Sequence, residues 1–106
     1  MSDVMSIGRY QLENLMRAGI RFTFLDLRTD AERASKKHEA VAQLLTTARA
    51  VAPVAALELL QTEKAAPDAA IILICEDGVK SKGLSLQLEE AGFKNVYRVE
   101  GGVAAL

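Results

Sequence analysis

Hydrophobic positions near the start of the chain recur at helical spacing and then switch to a compact run. The first pattern predicts a helix over about residues 9–18, with Gly19 as its stop, from three apolar positions on one face: Leu12, Leu15 and Met16. The run over residues 22–27 is typical of a strand. Thr29 and Glu32 then have the spacing of a capping box, which predicts that a second helix begins there.

The middle of the chain is rich in alanine, but its apolar periodicity continues. Four apolar residues would share one face of a helix: Val41, Leu44, Leu45 and Ala48. A short strand is expected around residues 51–54. Leu57 and Leu60 then indicate one or two further helical turns.

The last third has the clearest pattern. Ile71–Ile74 is wholly apolar and rich in β-branched residues, which is typical of a central parallel strand covered on both faces. A helix is predicted from Lys80 to about Ala91, and a final strand over Val96–Val99. Strands that alternate with helices predict an α/β domain with a mainly parallel sheet.

Composition narrows the class of protein. The chain has 106 residues, half of them hydrophobic, which suits one small domain. No apolar run reaches the roughly 20 residues of a membrane span, and we expect no signal peptide. A net charge of -1 argues against a nucleic-acid binder that relies on bulk charge. A single cysteine excludes an internal disulfide or a cysteine-rich metal site and favours a reducing, cytoplasmic setting.

The candidate chemistry lies in the segment that follows the apolar strand, Cys75-Glu76-Asp77-Gly78-Val79-Lys80-Ser81. Sites in open α/β sheets form at the carboxyl ends of strands. A loop there turns backbone N–H groups inward and ends on a helix N-terminus, which attracts anions and favours a thiolate. Gly78 can adopt the positive φ of a tight loop. The alternative, that Cys75 is only a small buried residue at a strand end, is common for a lone cysteine.

The stretch from Ile71 to Leu106 resembles the C-terminal half of a single-domain rhodanese. That family has an apolar strand, a Cys-x-x-Gly-x-Arg-Ser loop, a helix ending in Gly-Phe, a strand and a Gly-Gly turn. Residues 25–29, Leu-Asp-Leu-Arg-Thr, also resemble the family's Asp-Val-Arg strand end. The resemblance implies one rhodanese-like domain over residues 1–106, with a central sheet of four to five strands and helices on both faces.

The resemblance also implies roles for individual residues. Cys75 would carry sulfur as a persulfide, and the loop from Glu76 to Ser81 would cradle the substrate. Independently of the resemblance, the abrupt end of the apolar run at this loop predicts that Cys75 is partly exposed at its mouth. Asp26 and Arg28 would support the neighbouring strand end, although a surface ion pair of little energetic value is the alternative. No metal or organic cofactor is implied. The partners would be a small-molecule or protein sulfur donor and acceptor, with no nucleic acid and no membrane.

Several positions depart from the family pattern. Lys80 replaces the usual arginine and loses its planar fork, while Glu76 and Asp77 place two acids beside the sulfur. The segment around His38 lacks the family's Gly-His-Ile-Pro-Gly-Ala stretch, and we assign no role to that histidine. Two functions therefore stay open: a sulfurtransferase, and a catalytically weak or inactive regulatory or binding module of a larger protein. An unrelated α/β domain with an incidental cysteine fits the joint pattern poorly.

Overall fold

The protein was analysed as a computed structural model, in which residues 5–19, 21–35 and 44–106 are described. Strands and helices alternate along these residues. The strands are β1 (Met5–Ile7), β2 (Thr23–Asp26), β3 (Arg49–Ala50), β4 (Ile71–Ile74) and β5 (Val96–Val99). The helices are α1 (Arg9–Arg17), α2 (Asp30–Ala34), α3 (Pro53–Thr62) and α4 (Val79–Glu90), and a 3-10 turn follows at Val103–Ala105.

The five strands form one sheet in the order β1-β5-β4-β2-β3, and every neighbouring pair is parallel. This confirms the expected α/β class with a parallel sheet, at the upper end of the expected number of strands. β4 lies at the centre, where Leu73 is paired with Leu25 of β2 and with Arg98 of β5. The carboxyl ends of β2 and β4 are therefore adjacent, because Asp26 is paired with Ile74.

Helices cover both faces of the sheet, and β4 contributes alternate side chains to each face. Ile71 and Leu73 pack in one apolar cluster with residues of α3 and α4: Ala56, Leu60, Leu84 and Leu88. Ile72 and Ile74 pack in a second cluster with Leu12 of α1 and with Val103. All four β4 residues are buried, as expected for a central parallel strand.

The end of α1 and the start of α2 agree with the local sequence signals. α1 ends at Arg17, and Gly19 follows with a φ of 69°. At the start of α2 the Thr29 hydroxyl accepts a hydrogen bond from the Glu32 N–H at 3.1 Å. The Glu32 carboxylate in turn accepts one from the Thr29 N–H at 2.9 Å. The predicted capping box is thus confirmed.

The middle segment differs from its prediction. Leu44 and Leu45 form a 3-10 turn, closed by a hydrogen bond from the Ala48 N–H to the Leu45 carbonyl, so the expected helix does not extend to Ala48. The strand expected at residues 51–54 begins two residues earlier, as β3. Its position is set by pairing with β2, in which Asp26 is the partner of Ala50. Pro53 instead begins α3, where the missing N–H of proline costs no helical hydrogen bond. Val41 and His38 lie outside the described residues.

The short strand β1 was not predicted. Its three residues pair with β5 at the edge of the sheet. A strand of this length gives too little alternation to stand out in the sequence, so its place is decided by the partner strand. No helix among the residues that the structure describes is long and apolar enough to cross a membrane.

Candidate functional site

The candidate site lies at the carboxyl end of the central strand. Cys75 directly follows β4, and α4 begins four residues later at Val79. We call residues 75–81 the sulfur loop. Because β2 is the neighbour of β4, the residues that follow β2 flank this loop, and the Leu27 N–H donates to the Ile74 carbonyl at 2.8 Å. The sheet topology therefore brings the two segments singled out in the sequence to one edge.

The loop surrounds the sulfur with hydrogen-bond donors. Cys75 Sγ accepts hydrogen bonds from the backbone N–H groups of Gly78 at 3.1 Å and Ser81 at 3.4 Å. The thiol also lies 3.4 Å from the Ser81 hydroxyl oxygen, and that hydroxyl donates to the Gly78 carbonyl at 3.2 Å. Backbone donors at the first turn of a helix stabilise negative charge on an acceptor. The arrangement can hold an anionic sulfur.

Gly78 makes this loop shape possible. It has a φ of 89°, which confirms the positive φ expected from the sequence. A Cβ atom at this position would also lie 2.9 Å from the backbone nitrogen of Gly101, which is closer than real Cβ contacts. Glycine is therefore required here for two reasons, the backbone conformation and the close approach of another chain segment.

The expectation that Cys75 is partly exposed is wrong, because only 1% of its surface is accessible. The reason is the alternation of β4. Cys75 continues the face occupied by Ile71 and Leu73 and packs in the same apolar cluster as Leu84 of α4. Cys75 nevertheless lies at the strand end and in the loop, as predicted, and not within a helix.

Asp26 and Arg28 form a tight pair next to the loop. Arg28 Nη2 lies 2.8 Å from Asp26 Oδ2 and Arg28 Nε lies 3.0 Å from Oδ1, and the Arg28 backbone N–H also donates to Oδ1. The side chains of Arg28 and Asp26 are only 10% and 5% exposed, respectively, so this is not the surface ion pair that the sequence left as the alternative. The hydrogen bonds to Asp26 are the main reason that the pKa of Arg28 is raised.

Glu76 lies near enough to Arg28 to interact with its charge. Its negative charge also contributes to raising the pKa of Arg28, and one of its carboxylate oxygens is buried. Asp77 is exposed, and its Oδ1 accepts a hydrogen bond from the Val79 N–H at 3.0 Å. The two acids beside the sulfur are therefore in different environments: Glu76 faces a cation, and Asp77 faces the start of α4 and the solvent.

Val79 and Lys80 lie in the first turn of α4, and both are exposed. Lys80 Nζ lies 3.9 Å from Glu32 of α2, a contact that the sequence alone did not indicate. A cleft of about 300 Å³ opens beside Lys80, and the residues that follow β2 line it. Its lining includes three cations and one acid: Arg28, Arg33, Lys80 and Asp30. No group of three His, Cys, Asp or Glu residues within 5–19, 21–35 and 44–106 could hold a metal ion.

Sequence reasoning missed the contribution of the C-terminal turn. The Val103 N–H donates to the Cys75 carbonyl at 2.8 Å, and the Ala104 N–H donates to the Glu76 carbonyl at 3.0 Å. The two consecutive glycines before this turn were the available signal, since Gly101 and Gly102 both have positive φ. The sequence cannot show that this turn lies against a loop about 25 residues earlier.

Comparison with known proteins gives results that agree with this architecture. A rhodanese-like domain protein from Staphylococcus aureus has a similar structure, with a TM-score of 0.71 and 24% identity over 95% of this chain and 89% of that chain. The rhodanese-like domain of an Anabaena protein gives a TM-score of 0.73 and 20% identity over 94% of this chain and 70% of that chain. At these identities the likeness shows the fold.

A curated relative is similar over a shorter stretch. The tRNA uridine(34) hydroxylase of Sodalis glossinidius is 40% identical over 47 residues, which are 44% of this chain and 12% of that protein. The match thus covers a small part of the relative's length. The sequence profile of the rhodanese-like domain matches residues 9–106, nearly the whole chain. The chain belongs to the rhodanese-like domain family.

Proposed function

We propose that this protein is a sulfurtransferase that carries sulfur as a persulfide on Cys75. We further propose that residues 1–106 act as one rhodanese-like domain, alone or within a larger protein. The single observation that carries the sulfur chemistry is the pair of backbone N–H groups, those of Gly78 and Ser81, that donate to Cys75 Sγ. A family member with a merely structural cysteine has no need of donors aimed at its sulfur.

The reaction consists of two displacements at sulfur. In the first, the Cys75 thiolate attacks the outer sulfur of a donor, forms an S–S bond, and releases the rest of the donor with the electron pair of the broken bond. With thiosulfate the products are the Cys75 persulfide and sulfite. In the second, an acceptor thiolate attacks the outer sulfur of the persulfide, and the Cys75 thiolate leaves. This is nucleophilic covalent catalysis, and it requires no metal or organic cofactor.

The surroundings of Cys75 support this chemistry in two ways. Donors at the first turn of α4 compensate negative charge on the thiolate and on the persulfide. The Asp26–Arg28 pair fixes the residues after β2 beside the loop, where Arg28 also compensates the charge of Glu76. The cleft beside Lys80 provides space for a donor or an acceptor. We propose small molecules or proteins as these partners, without nucleic acid or membrane, and a cytoplasmic location.

Mass spectrometry of the intact protein tests the proposal. The protein is incubated in turn with thiosulfate, mercaptopyruvate and a cysteine persulfide donor. We expect an adduct of about 32 Da that cyanide removes, and its absence in Cys75→Ser, because a hydroxyl cannot form a persulfide. Cys75→Ser changes little volume and should leave the circular dichroism spectrum unchanged. An adduct that persists in Cys75→Ser would place the chemistry elsewhere.

A second candidate function is a regulatory or binding module with little activity. The burial of Cys75 favours it, since a donor must reach a sulfur that is 1% exposed. The contact between Lys80 and Glu32 also favours it, because it reduces the positive charge offered to an anionic donor. Cyanolysis of a sample exposed to all three donors discriminates between the two: thiocyanate release supports the sulfurtransferase, and no release supports the module.

A further inference from the structure

The outer side of the sulfur loop is covered by the last six residues of the chain. Gly102 lies directly against the loop backbone. A Cβ atom on Gly102 would be 2.3 Å from the Cys75 carbonyl oxygen, 2.7 Å from the Gly78 nitrogen and 2.8 Å from the Asp77 nitrogen. No other residue type could occupy this position without displacing the loop or the turn.

Two hydrogen bonds fasten the same surfaces together. The Val103 and Ala104 N–H groups donate to the carbonyls of Cys75 and Glu76 at 2.8 and 3.0 Å. The loop is therefore held from both sides. Its inner side is bound to the sulfur through Gly78 and Ser81, and its outer side is bound to residues 102–104.

The C-terminal turn is itself anchored in the fold. The Val103 side chain is 1% exposed and packs in the apolar cluster that contains Ile74 and Val99. The Glu100 N–H donates to the Ile7 carbonyl of β1 at 2.9 Å, which fixes the entry into the turn. Further hydrogen bonds close the turn on itself, from Ala105 to Gly102 and from Leu106 to Val103.

We propose that residues 101–106, which we call the C-terminal strap, hold the sulfur loop closed around Cys75. Reagents reach the sulfur when the strap releases the loop, and Gly102 is the positioning residue that allows the closed contact. Three observations support this role: the sulfur is 1% exposed, the loop donors point at that sulfur, and the backbone contact at residue 102 is one that only glycine permits. The strap touches the loop backbone and not the reacting sulfur, so its effect is exerted through loop geometry.

A second consequence rests on the proposed function. When Cys75 carries sulfur, the closed loop keeps the Gly78 and Ser81 donors in place and excludes solvent thiols from the persulfide. Release of the strap would then shorten the lifetime of the persulfide. The access of reagents to the unloaded thiol and the lifetime of the loaded sulfur are separate measurements, so the strap can be tested even if no donor loads the protein.

The test is the rate at which iodoacetamide alkylates Cys75 in the unloaded chain of 106 residues. Gly102→Ala is compared with Gly19→Ala, which has nearly the same φ, 69° against 67°, but no heavy atom within 4 Å of its Cβ. Both variants strain the backbone, and only Gly102→Ala disturbs the loop. We expect Gly102→Ala to be alkylated at least about fivefold faster than wild type, and Gly19→Ala to match wild type once corrected for global unfolding.

Urea distinguishes loop release from unfolding of the whole chain. Alkylation through local release is nearly independent of low urea, whereas alkylation through global unfolding rises with the full denaturant slope. We expect a flat dependence for Gly102→Ala. If that variant does not fold, Val103→Ala removes the anchor without a clash, and Val96→Ala is its control at the other end of the sheet. The proposal is refuted if Cys75 is alkylated no faster in either strap variant than in its control. It is also refuted if the faster alkylation has the urea dependence of global unfolding.

The lifetime of the Cys75 persulfide tests the second consequence. Each variant is loaded with sulfur and the loss of the adduct to dithiothreitol is followed by mass spectrometry. Faster loss from Gly102→Ala or Val103→Ala than from Gly19→Ala or Val96→Ala supports protection by the strap, and equal loss overturns it. Failure of every variant and of wild type to load would refute the sulfurtransferase, while the alkylation rates would still decide whether the strap controls access.

Discussion

At the scale of single residues, the site depends on positions where a small change in shape or charge has large effects. Cys75, Gly78 and Gly102 lie against one another at the end of β4, and two of the three are glycines with positive φ. Asp26 and Arg28 form the other sensitive pair, because both of their side chains are largely removed from solvent.

Gly78→Val should damage the sulfur loop. Valine resists a φ of 89°, which costs on the order of 1–3 kcal/mol, and its Cβ would lie 2.9 Å from the Gly101 nitrogen. We expect a lower midpoint of urea unfolding and loss of sulfur loading by mass spectrometry. Normal loading by this variant would show that the backbone donors around Cys75 are not needed.

Asp26→Asn should destabilise the fold through Arg28. The guanidinium would keep its place but lose the carboxylate that compensates its charge, at a cost of about 2 kcal/mol or more. Urea unfolding of the variant and of wild type at pH 7 measures the difference. Asp30→Asn is the matched control, because Asp30 also pairs with an arginine but its side chain is 99% exposed. Equal destabilisation by both changes would contradict the importance of burial.

At the scale of elements, the alternation of β4 decides which cluster receives the sulfur. Odd-numbered residues 71–75 face α3 and α4, so Cys75 lies under the first turns of α4 and not at the open edge of the sheet. The start of α4 then supplies the donors. The strand and the helix that follows it thus decide on which face of the sheet the sulfur lies and which N–H groups donate to it.

Gly83→Ala should stabilise α4. Gly83 lies within this helix, it does not have a positive φ, and a Cβ there would meet no heavy atom within 4 Å outside its own helix backbone. Alanine in a helix interior is favoured over glycine by roughly 0.5–1 kcal/mol. We expect a rise in Tm of a few degrees, since about 1 kcal/mol corresponds to roughly 4–8 °C in a domain near this size.

The matched change for α4 is Gly92→Ala, just after the helix. Its Cβ also meets no heavy atom within 4 Å, but its φ is 103°, so alanine is strained and Tm should fall. Differential scanning calorimetry of the two variants separates the two effects of glycine. A lower Tm for Gly83→Ala would mean that the helix is not regular at that position.

At the scale of the whole molecule, the strand order sets the electrostatics of the site. Because β2 and β4 are neighbours, Arg28 and Glu32 reach the loop that contains Glu76 and Lys80. Glu76 is thus part of a group of charges that includes Arg28 after β2 and Glu32 of α2. If only the sequence neighbours of Glu76 were considered, its repulsion of an anionic donor would be overestimated, because Arg28 partly compensates the charge of Glu76.

Thiosulfate, a dianion, should therefore load slowly, and Asp77 should account for more of this than Glu76. Each exposed acid opposes the encounter by on the order of 1 kcal/mol or less, because water and ions screen it. We expect Glu76→Gln with Asp77→Asn to raise the rate of loading by thiosulfate several-fold at low salt, with most of the gain in Asp77→Asn alone. Asparagine retains the oxygen that accepts from the Val79 N–H.

To test this difference, loading reactions at about 10 mM and 200 mM salt are quenched at timed intervals, and the persulfide adduct is quantified by mass spectrometry. A neutral sulfur donor is the control and should load wild type and the double variant at nearly the same rate. Equal thiosulfate rates for wild type and the double variant at low salt would mean that both acids point away from the path of the donor, and the electrostatic explanation would fail.

The sequence by itself determined the elements with strong local signals. The apolar run Ile71–Ile74, the capping box at Thr29 and the positive φ of Gly78 were all predictable, because each depends on residues that are close in the chain. The Cys75 loop and the Asp26–Arg28 strand end were recognisable for the same reason. That Asp26 and Arg28 lie beside this loop was implied by the resemblance to the rhodanese family.

Only the tertiary structure decided what depends on contacts between distant segments. Three features of the site depend on segments that are distant in the sequence: the burial of Cys75, the contact of Lys80 with Glu32, and the position of Gly102 against the loop. The two-residue strand β3 and the edge strand β1 likewise exist through pairing with a neighbour and not through their own pattern. Local sequence encodes backbone preference and hydrophobic periodicity, whereas exposure and electrostatic partners arise only when the sheet and its covering helices are assembled.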